Sequence, residues 1–228
     1  MVSRVSKKIE CNTLFLDRLP KATQGAFRLC TTMPFFTDFP WYLAGGTALA
    51  LQVGHRQSVD LDFFTHKKSF NQRETELLLE RTNEWMTDHQ EDGTLFGRLK
   101  KAKMSLIAYP FFLPSKEVVR CGTVRILPPK DIAVMKIIAI SQRGRKRDFL
   151  DLYWYCLHCE PLRDVVRRVF HHYPQDHNIP HLIKSLTYFE DAEEDPMPTV
   201  FFKVDWKTIK AYFRKEAVRI AKELLHIS

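Results

Sequence analysis

The chain has 228 residues, room for one large domain or a two-lobed unit, and its 45% hydrophobic and 27% charged content is ordinary for a folded protein. The formal net charge of +8 points to a polyanionic partner such as nucleic acid or nucleotide. Residues 1–10 carry Arg4, Lys7 and Lys8 with no apolar stretch behind them, which argues against a signal peptide. The uncharged run 104–115 is short and broken by Pro110 and Pro114, which argues against a membrane span. Five scattered cysteines (Cys11, Cys30, Cys121, Cys156 and Cys159) read as reduced thiols of a cytoplasmic protein. Cys156 and Cys159 form a C-x-x-C without a second pair, inside an apolar helical pattern, and read as small core residues.

In chain order, residues 10–33 are expected to be helical. Residues 40–64 predict a strand, a glycine turn, a short helix and a strand. Residues 70–88 predict a helix offering Leu77, Leu78, Trp85 and Met86 to a core, and Asp92-Gly93 marks a turn. Short strands are expected around Leu95, at 103–109 and at 124–127. Pro128-Pro129 opens a helix that Gly144 ends. Everything after Lys146 reads as helical, and the acidic stretch 190–195 reads as a loop. The last helix repeats Trp206, Ile209, Phe213, Ala217, Ile220 and Leu224 at three- and four-residue steps, giving one apolar stripe. The expected fold is α/β (α+β): a small mixed sheet flanked by helices over residues 1–143, then a helical C-terminal lobe over residues 144–228 that shares the active-site cleft.

Two short motifs carry chemistry. In Leu43-Ala44-Gly45-Gly46-Thr47 an apolar strand runs into two glycines and then good helix formers. Glycines let a ligand approach the backbone, and the helix start presents unsatisfied N–H groups and a positive dipole end suited to phosphate. Thr47 adds a hydroxyl or caps the helix. A purely structural turn explains this stretch equally well. In Ser58-Val59-Asp60-Leu61-Asp62-Phe63-Phe64 strict alternation puts Val59, Leu61 and Phe63 on one face and both aspartates on the other, roughly 7 Å apart. Bare carboxylates this close repel. A divalent cation relieves the repulsion, and magnesium favours carboxylate and phosphate oxygens. The alternative is the polar face of a half-exposed strand. Together, the two motifs place a triphosphate site beside a metal site.

Further along, Lys136 is the single charge in 132–141, at the edge of a buried stripe. Arg143, Arg145, Lys146 and Arg147 precede Asp148 and Asp151, which share a helix face. First-turn acids also suit the helix dipole.

The run from Leu43 to Phe64 resembles the polymerase-beta-type nucleotidyltransferases. More narrowly it is similar to the AbiEii/AbiGii toxins of type IV toxin–antitoxin and phage-defence systems. Asp131-Ile132-x-x-x-Lys136 and Arg147-Asp148-x-x-Asp151 match later motifs of that family, and the similarity spans about residues 40–225 in order. The resemblance implies that Asp60 and Asp62 hold Mg2+ or Mn2+. It implies that Gly45, Gly46, Thr47, Arg56 and Lys136 bind the NTP, and that Asp148 and Asp151 join Asp60, Asp62 and Lys136 in catalysis. It also implies an RNA acceptor, tRNA by the example of related toxins, contacted by Arg143, Arg145, Lys146 and Arg147. A cognate antitoxin encoded nearby need not touch the protein. Two features depart from the pattern. The segment 103–109 lacks the third carboxylate that many polymerase-beta-type enzymes use, and Gly-Thr replaces the commoner Gly-Ser. Two other functions stay open: a non-catalytic nucleic-acid-binding module on this scaffold, and nucleotidyl transfer to a small molecule.

Overall fold

The computed structural model describes residues 11–117, 119–174 and 178–225, the side chains of residues 224 and 225 excepted. The start of the chain and the Leu224 side chain therefore lie outside the described residues. The chain divides into two compact units, Met1–Pro128 and Pro129–Ser228. The division falls at Pro128, ahead of the helix that begins at Pro129, and not at the expected boundary after residue 143. No helix among the described residues is long and apolar enough to cross a membrane.

The first unit opens with 3-10 turns at Cys11–Thr13 and Leu16–Arg18. Helices α1 (Lys21–Cys30) and α2 (Phe35–Asp38) follow, so the helix expected over 10–33 is confined to its second half. Strand β1 (Tyr42–Ala44) runs directly into α3 (Gly45–Val53), and β2 (Leu61–Thr65) returns antiparallel beside β1. Helix α4 (Gln72–Glu80) is capped by the Asn71 side chain on the Glu74 amide. Next come β3 (Trp85–Glu91), β4 (Thr94–Leu99), β5 (Ala102–Ala108), β6 (Val119–Cys121) and β7 (Val124–Ile126). The seven strands form one mixed sheet in the order β3-β4-β5-β2-β1-β7-β6. Within it β2 pairs parallel with β5, and β1 parallel with β7.

The helix expected over residues 70–88 ends at Glu80. Asn83 takes a left-handed φ of 55°, which breaks helical continuation, and Trp85–Glu91 then pairs with β4 across the Asp92-Gly93 turn. Met86 is consequently exposed rather than core.

Alternation along the strands decides which face is buried. Leu61, Phe63, Leu95, Leu99, Met104 and Leu106 are sealed, and Phe36 lies 4.3 Å from the Phe63 ring. Each such side chain contributes about 1.5–3 kcal/mol by leaving water. The opposite face carries Asp62, Lys103, Ser105, Phe96 and Arg98. Val59 falls before β2 begins and is 48% exposed, so the inward alternation starts only at Leu61.

The cysteine expectation is corrected by a disulfide between Cys11 and Cys121. Cys30 is a buried free thiol, Cys156 is half-buried and Cys159 is exposed, so the C-x-x-C pair is only partly core.

The second unit holds α5 (Pro129–Arg143), α6 (Lys146–His158), α7 (Leu162–His172), α8 (Ile179–Ser185), the single turn α9 (Glu190–Glu193) and α10 (Trp206–Leu225). Gly144 ends α5 at φ 52°, its amide on the Ile140 carbonyl. The core is aromatic: Phe149 has Phe189 at 5.1 Å, Phe213 at 5.3 Å and Trp206 at 5.8 Å between ring centroids. Ile209, Phe213, Ala217 and Ile220 form the buried stripe of α10.

Candidate active site

Two short segments bring most of the candidate residues of the first unit together. Gly45 starts α3 at φ +71°, a region costly for any residue with a Cβ. A Cβ there would also lie 3.1 Å from Asp62 Oδ2. Gly46 is needed for a different reason, because a Cβ would fall 2.0 Å from Arg56 Nη2. The buried Arg56 guanidinium thus lies against the first turn of α3, with Nη1 donating to the Gln57 carbonyl at 2.8 Å. The N-cap residue of α3, Ala44, makes no side-chain capping bond. A helix N-terminus without a side-chain cap and with a guanidinium beside it suits an anion.

Thr47 is fully buried. Its hydroxyl donates to the Asp60 carbonyl and accepts from the Ser58 hydroxyl (2.8 Å). It neither caps the helix nor faces solvent. Its contacts instead brace α3 against the segment that carries the aspartates.

Asp60 and Asp62 line one cavity of about 310 Å3. Asp62 sits opposite Ala44 on β1 and opposite Ser105 on β5, and the Ser105 hydroxyl donates to its Oδ1 at 2.6 Å. Two half-buried carboxylates in one cavity supply the hard oxygen donors that magnesium shares with phosphate. Among the described residues no group of three or more His, Cys, Asp or Glu is arranged to hold a metal. Asp88, Phe96 and Lys103 share the cavity. Strand register, not a local motif, places them and Ser105 there, so residue order alone does not mark them.

The second unit gathers a different set. Lys136 Nζ lies 2.6 Å from Asp148 Oδ1 and 2.7 Å from Asp151 Oδ2, with both carboxylates fully buried. Arg143 Nε reaches Asp148 Oδ2 at 3.1 Å. Burial alone would raise the Asp148 carboxyl, but Lys136 and Arg143 outweigh it and hold the group below its ordinary range. Two cations against two anions make a fixed ionic cluster. The remaining basic candidates are partly engaged as well. Arg145 pairs with Asp195 at 3.0 Å, and the buried Lys146 donates to the Glu193 carbonyl at 3.2 Å and contacts the Asp195 carbonyl. Arg147 is exposed.

A mixed sheet with a glycine-turn helix start beside paired carboxylates is the arrangement expected of a nucleotidyltransferase. The family model for the nucleotidyl transferase AbiEii toxin of type IV toxin–antitoxin systems matches residues 34–112 and 115–220. The chain belongs to that family, and is a nucleotidyltransferase with the toxin role of a toxin–antitoxin pair. An uncharacterized protein of Aquifex aeolicus, aq_aa25, is 33% identical over 206 residues, 88% of this chain and 97% of that one. Two solved structures share the fold. MenT4, a nucleotidyltransferase toxin of Mycobacterium tuberculosis H37Rv, has a TM-score of 0.54 at 15% identity, covering 89% of this chain and 86% of its own. JHP933 from Helicobacter pylori has a TM-score of 0.51 at 20% identity, covering 91% and 95%.

Proposed function

We propose that this protein transfers a nucleotide from a nucleoside triphosphate to the end of an RNA, with tRNA as the expected acceptor, using magnesium or manganese at Asp60 and Asp62. The observation that carries the proposal is the placement of both aspartates in one cavity while Gly45 packs against the Asp62 carboxylate and Gly46 against Arg56. The helix N-terminus and the guanidinium bind and orient the triphosphate tail. Ser105 fixes the Asp62 carboxylate through its hydrogen bond. Thr47 and Ser58 lock the distance between helix and carboxylate segment. A divalent ion bound there would offset charge on the α-phosphate and the departing pyrophosphate. An acceptor hydroxyl oxygen then forms a bond to the α-phosphorus, the bond to pyrophosphate breaks, and the hydroxyl proton passes to solvent. By resemblance to the family's later motifs, Lys136, Asp148 and Asp151 would also serve the reaction, with Lys136 on phosphate charge; within the second unit Lys136 is held between the two carboxylates. The resemblance would put the exposed Arg143, Arg145 and Arg147 on the RNA backbone, whereas Lys146, expected there too, is buried against the Glu193 and Asp195 carbonyls. The net charge of +8 supports a polyanionic acceptor over a small neutral one.

The test is incubation of purified protein with total RNA, magnesium and each α-labelled nucleoside triphosphate, beside Asp60→Ala/Asp62→Ala. Label entering a small RNA from one nucleotide, absent in the variant, supports the proposal. Label on a small-molecule acceptor only would replace it.

A further inference from the structure

One row of cross-strand partners crosses five strands of the first unit. Ala44 lies opposite Asp62, Asp62 opposite Ser105, Ser105 opposite Phe96, and Phe96 opposite His89. At one end the row meets the Gly45-Gly46 turn, and Asp62 is the next residue in. At the far end the His89 and Phe96 rings stack, with centroids 6.3 Å apart and planes 16° from parallel. Phe96 is two strand spacings from Asp62, about 10 Å, and both line the same cavity. Lys103 lines it as well, one pleat along β5 from Ser105 and opposite Arg98. The acid in this half of the cavity, Asp88, is offset by Arg98, whose Nε lies 3.1 Å away.

In-line displacement requires the attacking hydroxyl and the leaving pyrophosphate on opposite sides of the α-phosphorus. If the phosphate tail occupies the β1 side of Asp62, as proposed above, the hydroxyl must arrive from the β5–β4 side. That side offers an aromatic face and a cation at the far end of the cavity of about 310 Å3 that the two aspartates also line. This combination suits one nucleotide: a base stacked on an aromatic ring and a phosphate beside a lysine. We infer that the floor formed by Phe96, His89 and Lys103 is the acceptor subsite, which seats the terminal nucleotide of a single-stranded nucleic acid with its base on Phe96. The inference rests on the proposed nucleotidyl transfer to RNA and adds where, and through which residues, the acceptor end is held.

The experiment measures two affinities on the full chain: a short 5′-fluorescein-labelled single-stranded RNA by anisotropy, and a fluorescent ribose-labelled nucleoside triphosphate with magnesium. Phe96→Ala should weaken RNA binding roughly tenfold or more, the usual scale for a lost base–aromatic stack, and leave triphosphate affinity within about twofold. Phe96→Tyr should restore it, and Lys103→Ala should reduce the salt slope of RNA binding by about one. These two surface-side changes keep the test decisive if Phe96→Ala fails to fold. Unchanged RNA affinity in Phe96→Ala and Lys103→Ala, while the wild type still labels RNA, would overturn the subsite and leave the transferase proposal standing. RNA binding that depends on Phe96 in a protein that labels no RNA would have the reverse meaning. Loss of triphosphate affinity in place of RNA affinity would overturn the inference too, by making the platform a seat for the incoming base.

Discussion

Ser105 donates to Asp62 Oδ1 at 2.6 Å, from the strand that pairs parallel with the aspartate's own. A hydroxyl in this position occupies one carboxylate oxygen and fixes the plane of the other. Ser105→Ala should therefore reduce transfer by roughly tenfold, the worth of a hydrogen bond to a charged group, with little effect on folding. Initial rates with saturating and limiting nucleotide would measure it, and an unchanged kcat/KM would show the bond to be idle.

Gly46 and Arg56 occupy the same space. Gly46→Ala must push the guanidinium off the helix start, because the added methyl carbon would lie 2.0 Å from Nη2. Triphosphate affinity should fall by roughly tenfold or more, as should that of Arg56→Lys, which keeps a charge but loses the planar fork. Titration with a fluorescent triphosphate would check both, and full affinity in Gly46→Ala would remove Arg56 from the phosphate site.

The Lys136–Asp148–Asp151–Arg143 cluster governs stability in the second unit. Removing one partner from a buried charged set costs about 3–5 kcal/mol, so Lys136→Met should lower the urea midpoint sharply. The pH dependence has a definite sign. Asp148 titrates below its ordinary range in the folded state. Its stabilisation is complete above the unfolded carboxylate's pKa and is lost as pH falls through the lower folded value. Unfolding midpoints taken from neutral to acid pH should show this loss, and Asp148→Asn, already destabilised at neutral pH, should show less of it.

The Cys11–Cys121 bridge closes a sequence separation of 110 residues. Alkylation of the denatured, unreduced protein should modify three cysteines, and five after reduction. A loop of this size corresponds to stabilisation of up to about 4–5 kcal/mol, so reduction should lower the thermal midpoint. Five modified thiols without reductant would contradict the bridge.

The strand, glycine turn, helix and second strand over residues 42–65 were legible because glycine geometry and two-residue alternation act locally. The hairpin over 85–99 was not. Trp85 and Met86 follow Leu77 and Leu78 at helical spacing, and only Asn83's left-handed turn and pairing with β4 make that stretch a strand. The candidate aspartates, glycines and Lys136 could be picked out by residue type and spacing. Ser105 and Phe96 could not, since they reach Asp62's cavity through register across β5 and β4. Thr47 was visible as a hydroxyl, but its burial against Ser58 depends on the return of the chain eleven residues later. The disulfide was hidden for a similar reason, because nothing near either cysteine marks the other.

The most direct measurement is transfer itself: α-labelled nucleoside triphosphates, magnesium and total RNA, with wild-type protein beside a folded Asp60→Ala/Asp62→Ala variant. Label should enter a small RNA from one nucleotide with the wild type and vanish with the variant. Equal labelling by both proteins would contradict the assignment of the two aspartates, and no labelling of RNA by the wild type would contradict the RNA acceptor.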